Sequence, residues 1–192
     1  MYTVGVDTRT RLIEATQELL WEKGYAATSP KDILKRADAG QGSMYHHFSG
    51  KQDLAVAALE TSAASMRDDM NKLLDSSGPA SERLIAYLGR QRQVLRGCRM
   101  GRMTFDADVL ETPELLHPVS QALDWLVSAI TAVIRQGIDA EEFPPETNAH
   151  QLASMLVATV QGGYVLARAQ RDPAEFDAAV NGAISLLRSL RV

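Results

Sequence analysis

A single cysteine, Cys98, occurs among 192 residues. One thiol closes no disulfide within the chain, which excludes a disulfide-stapled secreted scaffold and fits a reducing compartment. Long apolar runs are missing as well. The longest, Leu126 to Ile134, is interrupted by Ser128 and Thr131 and falls well short of the roughly 20 residues that span a bilayer. The first ten residues, MYTVGVDTRT, contain no apolar core of an export signal, so a cytoplasmic protein with no membrane partner is expected. Thirteen glycines and seven prolines are too few for a collagen-like or low-complexity chain. There is no surplus of positive charge: the net charge is −4, and residues 1–53 carry seven basic and seven acidic side chains. Any DNA-binding surface must therefore be a local patch, not a basic domain. No His-Glu-x-x-His, phosphate-binding glycine loop or nucleophile elbow is present, so no catalysis, metal or cofactor is expected. Strand-like alternation and fixed-period repeats are lacking too.

What the chain does have is helical patterning, with 45% hydrophobic and 23% charged residues, enough for one or two small domains with a core. Asp7 is a good N-cap for a helix burying Leu12, Ile13, Thr16, Leu19 and Leu20 and ending at Gly24. Ser29, Pro30 and Asp32 form a capping box for a short helix with Ile33, Leu34 and Ala37 inward. Asp38-Ala39-Gly40 makes a tight connector to a third helix, Gln41 to His47, with Met44 and Phe48 on one face. Ser49 and Gln52 stand in capping-box spacing before a linking helix over 51–75, which the Ser76-Ser77-Gly78-Pro79 breaker ends. Further helices are expected from Ser81 to Arg96, a short one from Pro113, one from Pro118 to Gln136 with Gly137 as its cap, one from Thr147 to Ala169, and a last one carrying Phe176, Val180, Ala183, Leu187 and Leu190. The fold class is all-α, with about nine helices.

The segment Thr28 to Lys51 carries the functional signal. Two short capped helices joined by a brief turn form a helix-turn-helix, whose second helix enters the major groove with its first residues at the base edges. Met44 and Phe48 point inward, leaving Gln41, Gly42, Tyr45 and His46 on the opposite side. Gly42 permits close backbone approach, Tyr45 can reach a phosphate, and Gln41 can pair with an adenine edge. Thr28, Ser29 and Lys51 stand at helix starts, where anions are favoured. His46 and His47 diverge by about 100° on a helix, which rules out an i, i+4 metal pair. The expectation is His46 towards DNA and His47 at a partly buried contact.

Residues Thr10 to Leu59 resemble the DNA-binding domain of the TetR family of transcriptional regulators. The resemblance rests on Ile13, Ala15, Leu19, Gly24, Tyr25, Thr28, Ile33, Ala37, the run Gly42-Ser43-Met44-Tyr45-His46-His47-Phe48, then Lys51 and Leu54. It implies a ligand-responsive homodimeric regulator, a repressor that leaves a palindromic operator when a small molecule binds. Residues 5–60 would bind DNA, through Ser43 as well as the residues above, and residues 76–192 would bind the effector and dimerise. Asp38, Gly40 and Gln41 depart from the family's usual Gly, Ser or Thr, and Lys or Ser. Gly97-Cys98, Trp125 and Gln161-Gly162-Gly163 resemble the LmrA/YxaF-like subgroup.

Within the sensing region, Met100, Met103, Phe105, Trp125, Met155, Gln161 and Tyr164 are candidates for a pocket taking an apolar or aromatic effector. The last two helices are candidates for the dimer interface, with Gly162-Gly163 allowing close approach. Arg90, Arg92, Arg96, Arg99 and Arg102 read as a solvated face paired with acids such as Asp106 and Asp108, or else as an anion site. Cys98 reads as a small buried residue, or else as a redox sensor beside Arg96 and Arg99. The alternatives to a regulator are a helical enzyme and a protein-binding adaptor without DNA binding.

Overall fold

The computed structural model describes residues 7–191, so residues 5 and 6, at the expected start of the DNA-binding domain, lie outside the described residues. Within them the chain is all-helical: α1 Thr8–Lys23, α2 Pro30–Ala37, α3 Gln41–His47, α4 Lys51–Leu74, α5 Ala80–Gly89, a 3-10 turn Val94–Arg96, α6 Arg99–Met103, α7 Ala107–Glu111, α8 Pro113–Asp139, α9 Ala149–Gln170 and α10 Ala174–Ser189. None of the described helices is long and apolar enough to cross a membrane.

Local chemistry sets most of these ends. The Asp7 carboxylate accepts the Thr10 backbone N–H at 2.9 Å, and Gly24 closes α1 at φ 84° with its N–H on the Leu20 carbonyl. Ser29 and Asp32 form the expected reciprocal box around Pro30. Asn148 caps α9 through the Gln151 N–H.

Several elements differ from the sequence reading. The helix expected from Ser81 to Arg96 stops at Gly89, because Arg92 turns back and donates to the carbonyls at the end of α5: Leu88 at 2.7 Å, Arg90 at 2.8 Å, and Tyr87. The two helices expected around Pro118 are one, α8, with Pro118 inside it. Proline near a helix start removes a single N–H, a loss that a long helix tolerates. Ser49 pairs with the Asp53 carboxylate, at 2.8 Å from its N–H, and not with Gln52. The sequence reading contains neither α6 nor α7, each of which has five residues.

Contacts divide the chain into two compact units. The first comprises the residues up to Ser65 together with Arg99–Gln121; the second comprises Met66–Cys98 with the residues from Ala122 onward. Residues 99–121, assigned from sequence to the C-terminal region, thus pack within the N-terminal unit. In the second unit, Leu84 and Leu88 of α5, Ile130 and Ile134 of α8, and Ala153 and Leu156 of α9 are fully buried. Burying each Leu or Ile contributes roughly 1.5–3 kcal/mol.

Gly137 is not the expected helix cap. It lies within α8, where a Cβ would sit 2.6 Å from the Phe143 ring and 2.9 Å from the Ala80 Cβ. The helix ends instead through Glu141 at φ 59°, followed by the Glu142 N–H returning to the Gly137 carbonyl. Gly137→Ala is expected to lower the unfolding free energy by roughly 1–3 kcal/mol, read from the urea midpoint, although alanine is the better helix former.

Candidate nucleic-acid interface

The helix-turn-helix is built from the turn outward. Asp38 closes α2 in the left-handed region (φ 48°, ψ 54°), with its N–H on the Leu34 carbonyl. The Ala39 N–H reaches the same carbonyl at 3.1 Å. From α1, Arg11 donates to the Asp38 carbonyl at 3.2 Å and to the Thr8 hydroxyl at 3.2 Å. A non-glycine residue thus occupies a conformation that aspartate adopts at some cost, held there by a guanidinium from another helix. Ile33, Ala37, Met44 and Phe48 are buried and seat α2 and α3 against α1.

This anchoring leaves one side of α3 open. Gln41, Gly42, Ser43, Tyr45, His46 and His47 are all exposed, with Tyr45 at 54%. His47 is therefore not at the partly buried contact expected of it, although its ring lies 6.4 Å from that of Phe48. Alongside runs a cleft of about 470 Å³ lined by Ser29, Pro30, Lys31, Leu34, Gln41, Met44 and Tyr45. Gly40 supplies no side-chain cap to α3.

The other anion-site candidates sit differently. Thr28, expected at the surface, is only 2% exposed, and its hydroxyl donates to the Gly24 carbonyl at 2.6 Å. Its side chain braces the α1–α2 turn. Ser29 is half-buried, and its hydroxyl donates to the Asp32 carboxylate at 2.7 Å. Lys51 is half-buried, with its ammonium 3.9 Å from the centre of the Tyr25 ring. Burial lowers its pKa, opposed by Asp108 and Asp106.

Sequence reasoning missed a set of supports from residues 99–121. Arg99 pairs with Glu18 at 2.5 Å and lies 4.1 Å over the Trp21 ring. Arg102 donates to the Glu22 carbonyl at 3.0 Å. The Asp106 carboxylate accepts the Ala26 N–H at 3.0 Å and fills the space that a Cβ on Gly24 would need. These arginines thus pair with α1, not with Asp106 and Asp108. Such pairings link residues some 80 positions apart, and no local pattern announces them.

The seven pocket candidates are divided between the units. Met100 and Met103 are buried in the first unit, and Phe105 is 78% exposed there, so a place for Phe105 in an enclosed pocket finds no support in its exposure. In the second unit Tyr164 is buried, while Trp125, Met155 and Gln161 are half-buried. Cys98 is half-buried at the edge of that unit's core.

An exposed polar face on a short helix, braced by two others, defines a helix-turn-helix DNA-binding protein. Comparison with known proteins narrows the class. Residues 12–58 match the model of bacterial regulatory proteins of the tetR family, and residues 80–183 match the model of the tetracyclin repressor-like C-terminal domain. This chain belongs to the TetR family of transcriptional regulators. It is 26% identical over 176 residues to an uncharacterized HTH-type transcriptional regulator of Mycobacterium tuberculosis, covering 88% of each chain. It is 27% identical over 137 residues to the HTH-type transcriptional repressor NemR of Escherichia coli, covering 69% of this chain and 68% of that one. The crystal structure of a TetR-family transcriptional regulator from Cytophaga hutchinsonii superposes with a TM-score of 0.86 at 25% identity, over 96% of this chain and 95% of the other.

Asp32 offers a test of the scaffold. The Lys23 ammonium at 2.8 Å, then the Ser29 hydroxyl and N–H, hold its carboxyl well below the usual range. A lowered folded-state pKa stabilises fully above the unfolded value of about 4 and is lost as pH falls through the folded value. Asp32→Asn should therefore lower the urea midpoint at neutral pH. The gap to wild type should close as pH falls below about 4.

Proposed function

We propose that this chain is a cytoplasmic, ligand-responsive repressor that binds a palindromic operator as a homodimer. The observation that carries this reading is the exposed Gln41–Tyr45 face of α3, fixed by the Arg11-clamped turn. Gln41 reads a base edge, Ser43, Tyr45 and His46 contact the backbone or neighbouring bases, and Gly42 lets α3 come close. Ser29 and Lys51 flank the face near helix starts. Thr28 contributes through the turn that its hydroxyl braces.

In this reading residues 5–60 contact the operator, 51–75 link, and 76–192 bind effector and dimerise, with 99–121 the part of that region that packs in the DNA-binding unit. Val165 and Leu166 on α9 and Leu186 on α10 are 45–50% exposed. Large apolar side chains left outside on the last two helices favour these helices as the dimer interface. Trp125, Met155, Gln161 and Tyr164 favour an apolar or aromatic effector. Binding of the effector matters only through its different affinity for two dimer geometries. One of them holds the two recognition helices about 34 Å apart, one turn of DNA.

Full-length protein should prefer the DNA upstream of its own gene to random DNA, with an affinity that falls steeply as salt rises. Equal affinity for both would overturn the reading. Tyr45→Ala should weaken binding to all sequences alike, whereas Gln41→Ala should relax preference at one base position by about 1–3 kcal/mol; a panel of single-base operator variants separates the two. Val165→Asp with Leu166→Asp should turn the dimer into a monomer in sedimentation and abolish operator binding.

A further inference from the structure

Tyr25 stands in the turn between α1 and α2, and its backbone is held on both sides. The Gly24 N–H donates to the Leu20 carbonyl at 3.0 Å, and the Tyr25 carbonyl accepts the Thr28 N–H at 3.0 Å. The Asp106 carboxylate takes the next N–H, that of Ala26, and occupies the space beside Gly24. A turn fastened in this way fixes where the Tyr25 ring can lie. The ring faces Lys51, the first residue of α4. The Lys51 ammonium sits 3.9 Å from the ring centre, and both side chains are half-buried. All of these residues belong to the first unit.

A lysine carries its charge on a flexible four-carbon stem, which has much rotamer freedom to lose when the charge is fixed in one place. Here the ring takes up one side of the ammonium, because the face of an aromatic ring attracts a nearby cation. Lys51 makes no hydrogen bond or ion pair among the described residues, so its N–H donors away from the ring are open to an acceptor from outside. Burial works against its charge, Asp108 and Asp106 favour it, and Lys23 opposes it. Burial and the same two acids raise the pKa of Tyr25. The phenol is therefore neutral at neutral pH, and Lys51 is held by the face of the ring, not by a phenolate.

We infer that Tyr25 is a positioning residue for DNA binding: its ring holds the Lys51 ammonium by one side, so that the remaining donors meet a backbone phosphate at the start of α4. The inference rests on the reading of Lys51 as a DNA contact and adds the group that aims it. The ammonium keeps the ring in the complex. A stem already held in its bound position loses less freedom on binding, and the start of a helix favours the phosphate in the same place. A phosphate contact carries no sequence information. The ring therefore acts equally on operator and on random duplex, in contrast to Gln41.

The test measures full-length protein on the DNA upstream of its own gene and on a random duplex, across a salt series. Tyr25→Leu keeps an apolar side chain without a ring face. It should weaken both DNAs alike, by about two- to fivefold, and make the salt dependence shallower, towards that of Lys51→Met. Tyr25→Phe keeps the ring face and should bind as the wild type does. In a Lys51→Met background Tyr25→Leu should cost nothing further, whereas a change that only loosens the turn weakens binding with or without the lysine. Tyr25→pentafluorophenylalanine keeps the ring's shape and reverses the polarity of its face, so it serves where Tyr25→Leu does not fold and should weaken binding in the same way. In the DNA-free protein, NMR should find the Lys51 Hε protons shifted upfield by the ring in wild type and Tyr25→Phe but not in Tyr25→Leu. Unchanged or tighter binding by both ring-face variants, an equal loss in the Lys51→Met background, or absence of the ring shift would each overturn the proposal. The two readings fail separately. A protein that binds both DNAs alike and shows the Tyr25 effect on both refutes the regulator alone, and one that prefers its upstream DNA but is indifferent to the ring refutes the positioning role alone.

Discussion

The left-handed turn at Asp38 governs everything about the DNA-binding unit. Three residues separate α2 from α3, and the direction in which α3 leaves depends on one backbone conformation that L-residues avoid. Aspartate tolerates it less well than glycine, and here the difference is met by hydrogen bonds: Arg11 to the Asp38 carbonyl, and the Asp38 and Ala39 N–H groups to Leu34. With that turn held, burial of Met44 and Phe48 fixes the rotation of α3. Its polar residues are then outside because the other side is occupied.

A second layer of support comes from residues 99–121. Glu18, Glu22 and the turn at Gly24 to Ala26 are the attachment points for Arg99, Arg102 and Asp106. The fold therefore contains a segment distant in sequence whose contacts fall on α1, the helix that braces both α2 and α3.

Arg92 shows how a charged side chain from beyond a helix can end it. Its donors end α5 by taking up carbonyls that a helix terminus leaves unpaired. The same geometry draws the cation between Tyr87 and Phe176. Arginines at 90, 92, 96, 99 and 102 look alike in a sequence, yet Arg92 caps a helix in the second unit while Arg99 and Arg102 hold α1 in the first.

Local rules sufficed for much of the molecule. Asp7, Ser29 with Asp32, and Gly24 act on neighbours within a few positions, so the ends of α1 and α2 and the existence of the helix-turn-helix were written in the order of residues, as was the family. The spacing of Met44 and Phe48 likewise determined which side of α3 faces outward. Tertiary packing decided the rest. It buried the Thr28 hydroxyl, drew Lys51 over Tyr25, exposed His47 and Phe105, merged the helices around Pro118, and ended α5 at Gly89 with a side chain from beyond it. These outcomes depend on partners brought together only when the chain has folded, and a periodicity read along one helix contains no information about what another helix will place against it.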